Sequence, residues 1–189
     1  SNVYAQLGVR ARLVTRADEL ESATHLILPG VGAFDWAMGH LDRSGLRAAI
    51  TEKVLKGGSP ILGICVGMQM LAGRSEEGVL PGLGWIDAVV KKFDVRGFAR
   101  PERLPHMGWN TVETQDRDSL FAGIGVGSRF YFLHSYCLVP KSDADVVAWT
   151  NYGGRFASAV RHGNVFGVQF HPEKSHQWGI DLLKNFARL

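Results

Sequence analysis

Pro60-Ile61-Leu62-Gly63-Ile64-Cys65-Val66-Gly67-Met68-Gln69 is the stretch that decides the fold. Its short apolar run, residues 61–64, has the length of a buried strand. Residues 65–71 then take on helical character, with Met68 and Leu71 three apart. A cysteine therefore stands at a strand-to-helix junction between two glycines. Gly-x-Cys-x-Gly in that setting is the thiol form of the nucleophile elbow. The tight turn aims the nucleophile out of the sheet, and glycines on either side remove side chains that would collide with it. The following helix directs its first N–H groups at the sulfur, a field that favours an anion there. The N–H of Val66 is placed to hold an oxyanion. Taken alone, Cys65 reads equally well as a buried structural thiol. Cys137, in an apolar strand without an elbow, reads as structural.

A thiol nucleophile needs a base, and the base needs an orienting group. Phe170-His171-Pro172-Glu173 ends the apolar run of residues 165–170. In extended backbone, residues two apart point the same way, so His171 and Glu173 can meet. Pro172 removes a ladder N–H and ends the strand. In parallel α/β sheets, ligands bind beyond the carboxyl ends of strands. Cys65 and His171 both fall at such ends. His106 and His134 lie in turn or apolar contexts, and His25, His40, His162 and His176 read as surface residues. No His, Cys, Asp and Glu set has metal-ligand spacing. No phosphate-binding glycine loop follows a strand.

The rest of the chain agrees with an α/β reading. Residues 9–15 and 25–28 read as strands, with a short helical connector at 18–22 between them. Residues 33–55 carry apolar positions at helical spacing, broken near Ser44-Gly45 and stopped by Gly57-Gly58. Strand–helix alternation from Val9 to Leu71 is the signature of a parallel sheet. Further strands are expected at 83–93, 109–114, 130–139, 146–152, 156–161 and 165–170. Gly and Asn at 151–154 and 162–164 mark hairpin turns. Residues 175–189 close the chain as an amphipathic helix with Ile180, Leu183 and Phe186 on one face. The whole reads as one domain, residues 1–189.

The chain is 189 residues long, 46% hydrophobic and 21% charged. That is globular composition, and it excludes disorder as the main state. No apolar run reaches the length of about 18 residues that a membrane span needs. Two cysteines cannot build a disulfide framework, which fits a reducing cytoplasm. The net charge of +3 is spread without a basic block. No nucleic-acid partner is therefore expected.

Five stretches, in order, carry a resemblance: Leu28-Pro29-Gly30-Val31-Gly32-Ala33-Phe34, Gly63-Ile64-Cys65-Val66-Gly67-Met68-Gln69, Arg74-Ser75-Glu76-Glu77-Gly78, Pro105-His106-Met107-Gly108-Trp109-Asn110, and Gly167-Val168-Gln169-Phe170-His171-Pro172-Glu173-Lys174-Ser175. The chain resembles class I glutamine amidotransferases and, within them, the glutaminase subunits of imidazole glycerol phosphate synthases. The resemblance implies a flavodoxin-like α/β fold: a mixed, mostly parallel sheet flanked by helices, plus a smaller antiparallel sheet. It implies that glutamine is hydrolysed to glutamate and ammonia by Cys65, His171 and Glu173. Val66 and Val31 would form the oxyanion hole, the latter after a peptide flip in the 29–32 loop. Gly32, Gln69, Glu77, Ser135 and Tyr136 would hold substrate glutamine, and no cofactor is implied. Ammonia would pass to a (β/α)8-barrel cyclase bound as a heterodimer through Trp109, Tyr131 and Lys174, for histidine biosynthesis.

Two features stand apart from that pattern. Residues 1–8 match the end of the family's first helix, so a strand and loop of about 15–20 residues are expected ahead of the sequence given. Residues 65–72, Gly84-Trp85-Ile86 and Lys174-Ser175-His176 also resemble a side branch whose ammonia makes an acetamidino sugar for surface polysaccharides. Two further readings stay open: a non-catalytic partner-binding module on the same fold, and a stand-alone γ-glutamyl hydrolase.

Overall fold

The computed structural model describes residues 4–5, 8–94, 103–114, 116 and 119–189. Its centre is β2 (Ile61–Cys65), in which all five residues are buried. A strand covered on both faces has no polar side, which is why its sequence is an unbroken apolar run. Leu62 and Ile64 enter one core with Phe34, Phe130, Phe166 and Phe170. Ile61 enters the other with Met68, Leu71, Val160 and Val165. This two-sided division follows the period-2 alternation of strand side chains.

β2 pairs in parallel with β1 (Leu26–Gly30) on one side and with β11 (Val165–Val168) on the other. Beyond β11, the sheet continues through antiparallel neighbours: β10 (Arg155–His162), β9 (Val146–Asn151) and β6 (Glu113–Thr114). The main sheet is therefore mixed, and its parallel part is the three strands around the elbow. Two smaller sheets accompany it. One holds β3 (Arg74–Ser75), β4 (Ala88–Lys92) and β8 (Tyr136–Pro140). The other is the antiparallel pair β5 (His106–Thr111) and β7 (Arg129–His134).

Among the described residues, the helices include α1 (Phe34–Arg43), α2 (Arg47–Thr51), α3 (Val66–Met70) and α4 (His176–Phe186). α2 runs on into a π-helical turn at Glu52–Lys56. The break expected near Ser44-Gly45 is present, because Gly45 adopts φ +72°, which a helix cannot continue through. α4 buries Leu182, Leu183 and Phe186, close to the expected face.

Several expectations on element boundaries change. Residues 9–15 are not a strand: they have no ladder partner among the described residues, and a strand is stable only when paired. The run expected at 130–139 splits at Ser135 into β7 and β8, which join different sheets. The run at 83–93 shortens to Ala88–Lys92 because the N–H groups of Leu83, Gly84, Trp85 and Ile86 bond the carbonyls of residues 70–72 and not a ladder partner. His25 is half-buried and packs edge-on against Phe186, so it is not a surface histidine. No helix among the described residues is long and apolar enough to cross a membrane.

Candidate active site

Parallel register brings the carboxyl ends of three strands side by side. Gly30 lies opposite Cys65 across the β1–β2 ladder, and Val168 lies opposite Ile64 across β2–β11. The chain leaving β1 is therefore Val31-Gly32, and the chain leaving β11 is residues 169–173. Both flank the elbow.

Cys65 adopts φ 56° and ψ -111°. Residues other than glycine rarely enter that backbone region. Such strain persists only where surrounding packing over-determines it. Here the packing is close: a Cβ on Gly67 would overlap the Leu28 carbonyl, and a Cβ on Gly63 would lie 2.6 Å from the Gly67 carbonyl oxygen. The missing side chains let α3 turn directly over β1 and β2. Val66 opens α3, so its N–H has no partner four residues back within the helix.

His171 lines the same pocket as Cys65, and its Nδ1 lies 2.7 Å from Glu173 Oε1. The His–Glu pairing expected from extended backbone is made differently. β11 ends at Val168, and Pro172–Lys174 is a 3₁₀ turn that brings Glu173 back to the ring. Pro172 at the start of the turn presets the required φ. Burial works against a charge on His171. The hydrogen bonds and negative charges of Cys65 and Glu173 overcome it and hold the pKa up at about 9. Burial also opposes the Glu173 carboxylate, but the His171 hydrogen bond and the nearby positive charges keep it below the usual range. The arrangement favours a protonated His171 beside the Glu173 carboxylate.

Val31, Gly32, Cys65, Val66, Gln69, Glu77, Ser135, Tyr136, His171 and Lys174 line one pocket. The structure thus gathers every residue expected to serve chemistry and substrate except Glu173, which stands behind His171. Glu77 has a second task, since its Oε2 accepts the Phe34 N–H at 2.8 Å and so caps α1. Its loop is held by Asp35, which accepts the N–H groups of Val79 and Leu80 at 2.9 and 3.0 Å. Trp109 and Tyr131 are opposite one another on β5 and β7, outside the pocket lining. Trp109 is 38% exposed and stacks on His176, with ring centres 5.1 Å apart. Lys174 lies 5.8 Å over the Tyr131 ring, so the three form a single surface patch beside the pocket.

Sequence reasoning missed two groups. Ser175 is fully buried; its hydroxyl donates to the His171 carbonyl at 2.6 Å and accepts the Tyr131 N–H at 3.0 Å. It ties the His171 turn to β7, where His171 N–H also bonds the Tyr131 carbonyl. Gln169, also fully buried, lies between Gln69 and Cys65. A glutamine between Val168 and Phe170 was the available signal for Gln169; Ser175, between Lys174 and His176, carried none. Among the described residues, no cluster of three or more His, Cys, Asp or Glu could hold a metal. Cys137 is buried, and burial together with the Glu76 charge pushes its thiol up to about 12. A thiol held in that form is inert.

The family model for class I glutamine amidotransferases matches residues 4–188. The chain is 48% identical over 188 residues to the imidazole glycerol phosphate synthase subunit HisH 2 of Pseudomonas aeruginosa, covering 100% of this chain and 92% of that protein. It is 49% identical over 193 residues to the HisH subunit of Bdellovibrio bacteriovorus, covering 100% and 93%. A solved glutamine amidotransferase shares the fold at TM-score 0.74 and 23% identity, covering 99% of this chain and 89% of that one. A strained cysteine at a strand end, paired with His171 and backed by Glu173, thus sits in a chain that belongs to the class I glutamine amidotransferase family.

Proposed function

We propose that the chain hydrolyses glutamine and supplies the ammonia to a (β/α)8-barrel cyclase that makes imidazole glycerol phosphate in histidine biosynthesis. One observation carries the chemistry: Cys65 and His171 line one pocket, and Glu173 Oε1 lies 2.7 Å from His171 Nδ1 behind it. The full-length identity to HisH subunits supports the pathway.

In this reading, the Cys65 thiolate attacks the side-chain carbonyl carbon of glutamine. The resulting oxyanion is held by Val66 N–H and by Val31 N–H in its flipped state. The His171 imidazolium gives its proton to the departing amine, so ammonia leaves and a γ-glutamyl thioester remains. Water, deprotonated by the now neutral His171, then releases glutamate and restores the thiol. Glu173 keeps the imidazole oriented and stabilises its charged form. Glu77 offers its free carboxylate oxygen to the substrate ammonium, Gln69 its side-chain oxygen, and Gly32, Ser135 and Tyr136 their main-chain groups.

Ammonia released into water at neutral pH becomes ammonium, which is not a nucleophile. A partner sealed over the pocket mouth prevents that loss. Trp109, Tyr131 and Lys174 have the chemistry of such a contact, since Trp and Tyr carry disproportionate binding energy when covered. A reducing cytoplasm suits the free thiol.

The test measures glutamate release by the chain alone, and then with a histidine-pathway cyclase and its phosphorylated ligand. Strong activation by the liganded cyclase is the expected result. Absent activation, with Cys65 still labelled by a glutamine-like electrophile, redirects the ammonia to acetamidino-sugar synthesis. Unchanged glutamate release by Cys65→Ser overturns the chemistry.

A further inference from the structure

The pocket wall behind Cys65 contains a buried polar network whose donors and acceptors can be assigned without ambiguity. The assignment starts at the Tyr136 carbonyl oxygen, which can only accept. The Gln69 side chain approaches it at 3.0 Å, so the group facing it is the Gln69 amide nitrogen. The same nitrogen approaches Gln169 at 3.1 Å, so Gln169 must turn its oxygen toward Gln69. That choice leaves the Gln169 amide nitrogen facing Cys65 Sγ, at 3.8 Å.

A second arm reaches the same carbonyl. His134 Nδ1 lies 2.8 Å from the Tyr136 oxygen and therefore carries the proton. In a neutral ring the other nitrogen accepts, and His134 Nε2 does so from His106 Nδ1 at 3.0 Å. His106 Nε2 accepts from the Asn110 side-chain amide at 3.2 Å, whose other N–H bonds the Asn151 carbonyl at 2.9 Å. Both rings stay neutral because burial disfavours their charged forms. It pushes His134 down to about 3 and His106 to about 4. His106 is further held between Tyr152 and Phe132, with ring centres 3.9 and 4.7 Å away. With two donors on one carbonyl, no group in the network can turn over without leaving a buried polar atom unpaired.

We infer that Gln169 is a further catalytic residue, whose side-chain N–H holds the Cys65 sulfur as thiolate in a direction locked by the Gln69–Tyr136–His134–His106 network. This assignment rests on Cys65 being the nucleophile. Gln169 is fully buried, so its donor competes with no water. Its nitrogen lies 3.8 Å from the sulfur, which at rest also faces the Leu133 carbonyl at 3.8 Å, and it does not depend on His171, so it is still present after His171 has given up its proton. A donor with that placement stabilises the thiolate both as attacking group and as leaving group. A glutamine needed only to fill space would show no such dependence on its amide.

The test compares Gln169→Glu and Gln169→Met with the unaltered chain and with Cys65→Ser. The Glu variant keeps the oxygen that Gln69 requires and replaces the donor facing the sulfur with a carboxylate oxygen. The Met variant keeps the volume and removes both polar groups. Iodoacetamide alkylation of Cys65 is followed by mass spectrometry across pH, beside kcat and KM for glutamate release. The Glu variant is expected to raise the alkylation midpoint by about one pH unit or more and to lower kcat about tenfold or more, with KM within about threefold because Gln69 keeps its partner. The Met variant is expected to raise the midpoint likewise and to raise KM as well. A folded variant, Glu or Met, that alkylates with the original midpoint and keeps kcat within about twofold overturns the role of Gln169. Circular dichroism decides which variants count. Glutamate release retained in Cys65→Ser refutes the nucleophile itself and is a separate outcome.

Discussion

Ser175→Ala isolates the contact that holds His171, the proposed base, in place. The serine hydroxyl joins two backbone groups, donating to the His171 carbonyl at 2.6 Å and accepting from the Tyr131 N–H at 3.0 Å. Alanine removes both bonds and leaves no room for water, because Ser175 is fully buried. A buried backbone group left unpaired costs about 1–3 kcal/mol. The Tyr131 N–H loses this acceptor, whereas the His171 carbonyl still accepts the Lys174 N–H at 3.0 Å, so one full penalty and part of a second apply. The expected loss is about 2–4 kcal/mol, which in a chain of this size lowers Tm by roughly 4–16 °C. The released turn also carries His171 and Glu173, and misplacing a catalytic group by about 1 Å can cost about 100-fold. Urea unfolding and kcat for glutamate release should therefore fall together in Ser175→Ala. A variant within about 0.5 kcal/mol of the original stability, with kcat within about twofold, would refute the claim that Ser175 braces the turn.

The elevated pKa of His171 has a signed consequence for stability. The His171–Glu173 contribution is present below the unfolded histidine value of about 6.5 and is lost as pH rises through about 9. The stability difference between the original chain and Glu173→Gln, measured by urea unfolding, should thus shrink from pH 6 to pH 10; a constant difference would contradict the pairing. Gly67→Ala should destabilise by about 2–3 kcal/mol, because a Cβ there overlaps the Leu28 carbonyl; an unchanged urea midpoint would show that the elbow can relax. Trp109→Ala should weaken activation by the cyclase about tenfold or more without altering Cys65 alkylation; equal half-saturation would remove this residue from the docking face. Iodoacetamide at pH 8 should label Cys65 and spare Cys137, whose burial pushes its thiol up to about 12; prompt labelling of Cys137 in the folded chain would contradict that burial.

Much of the site was legible because its chemistry lies in short contiguous motifs. Residues 61–69 contain the strand, the strained position, the flanking glycines and the helix start. Residues 170–173 contain the proposed base, its proposed orienting group and the proline that opens the turn joining them. Local sequence specifies these because each depends on neighbouring backbone. The geometry joining His171 to Glu173 was less legible. Extended backbone and a 3₁₀ turn both bring residues two apart within reach, and the turn forms because Ser175 and Tyr131 draw the chain back. The strand expected at residues 9–15 failed for a related reason: β propensity describes a surface ready to pair, and pairing needs a neighbour.

By itself, the sequence determined the elbow, the His-x-Glu motif and the alternation of strands and helices, because backbone sterics and hydrophobic periodicity act within a few residues. Only the tertiary structure decided that β1, β2 and β11 end side by side, bringing residues 104 apart into contact at Cys65 and Gln169. It alone decided that Gln69, Gln169, Tyr136, His134 and His106 form one network. A buried glutamine or histidine has no partner written beside it in the chain. Its partner is whichever polar group the packed sheets bring within about 3 Å, and desolvation then makes that pairing obligatory.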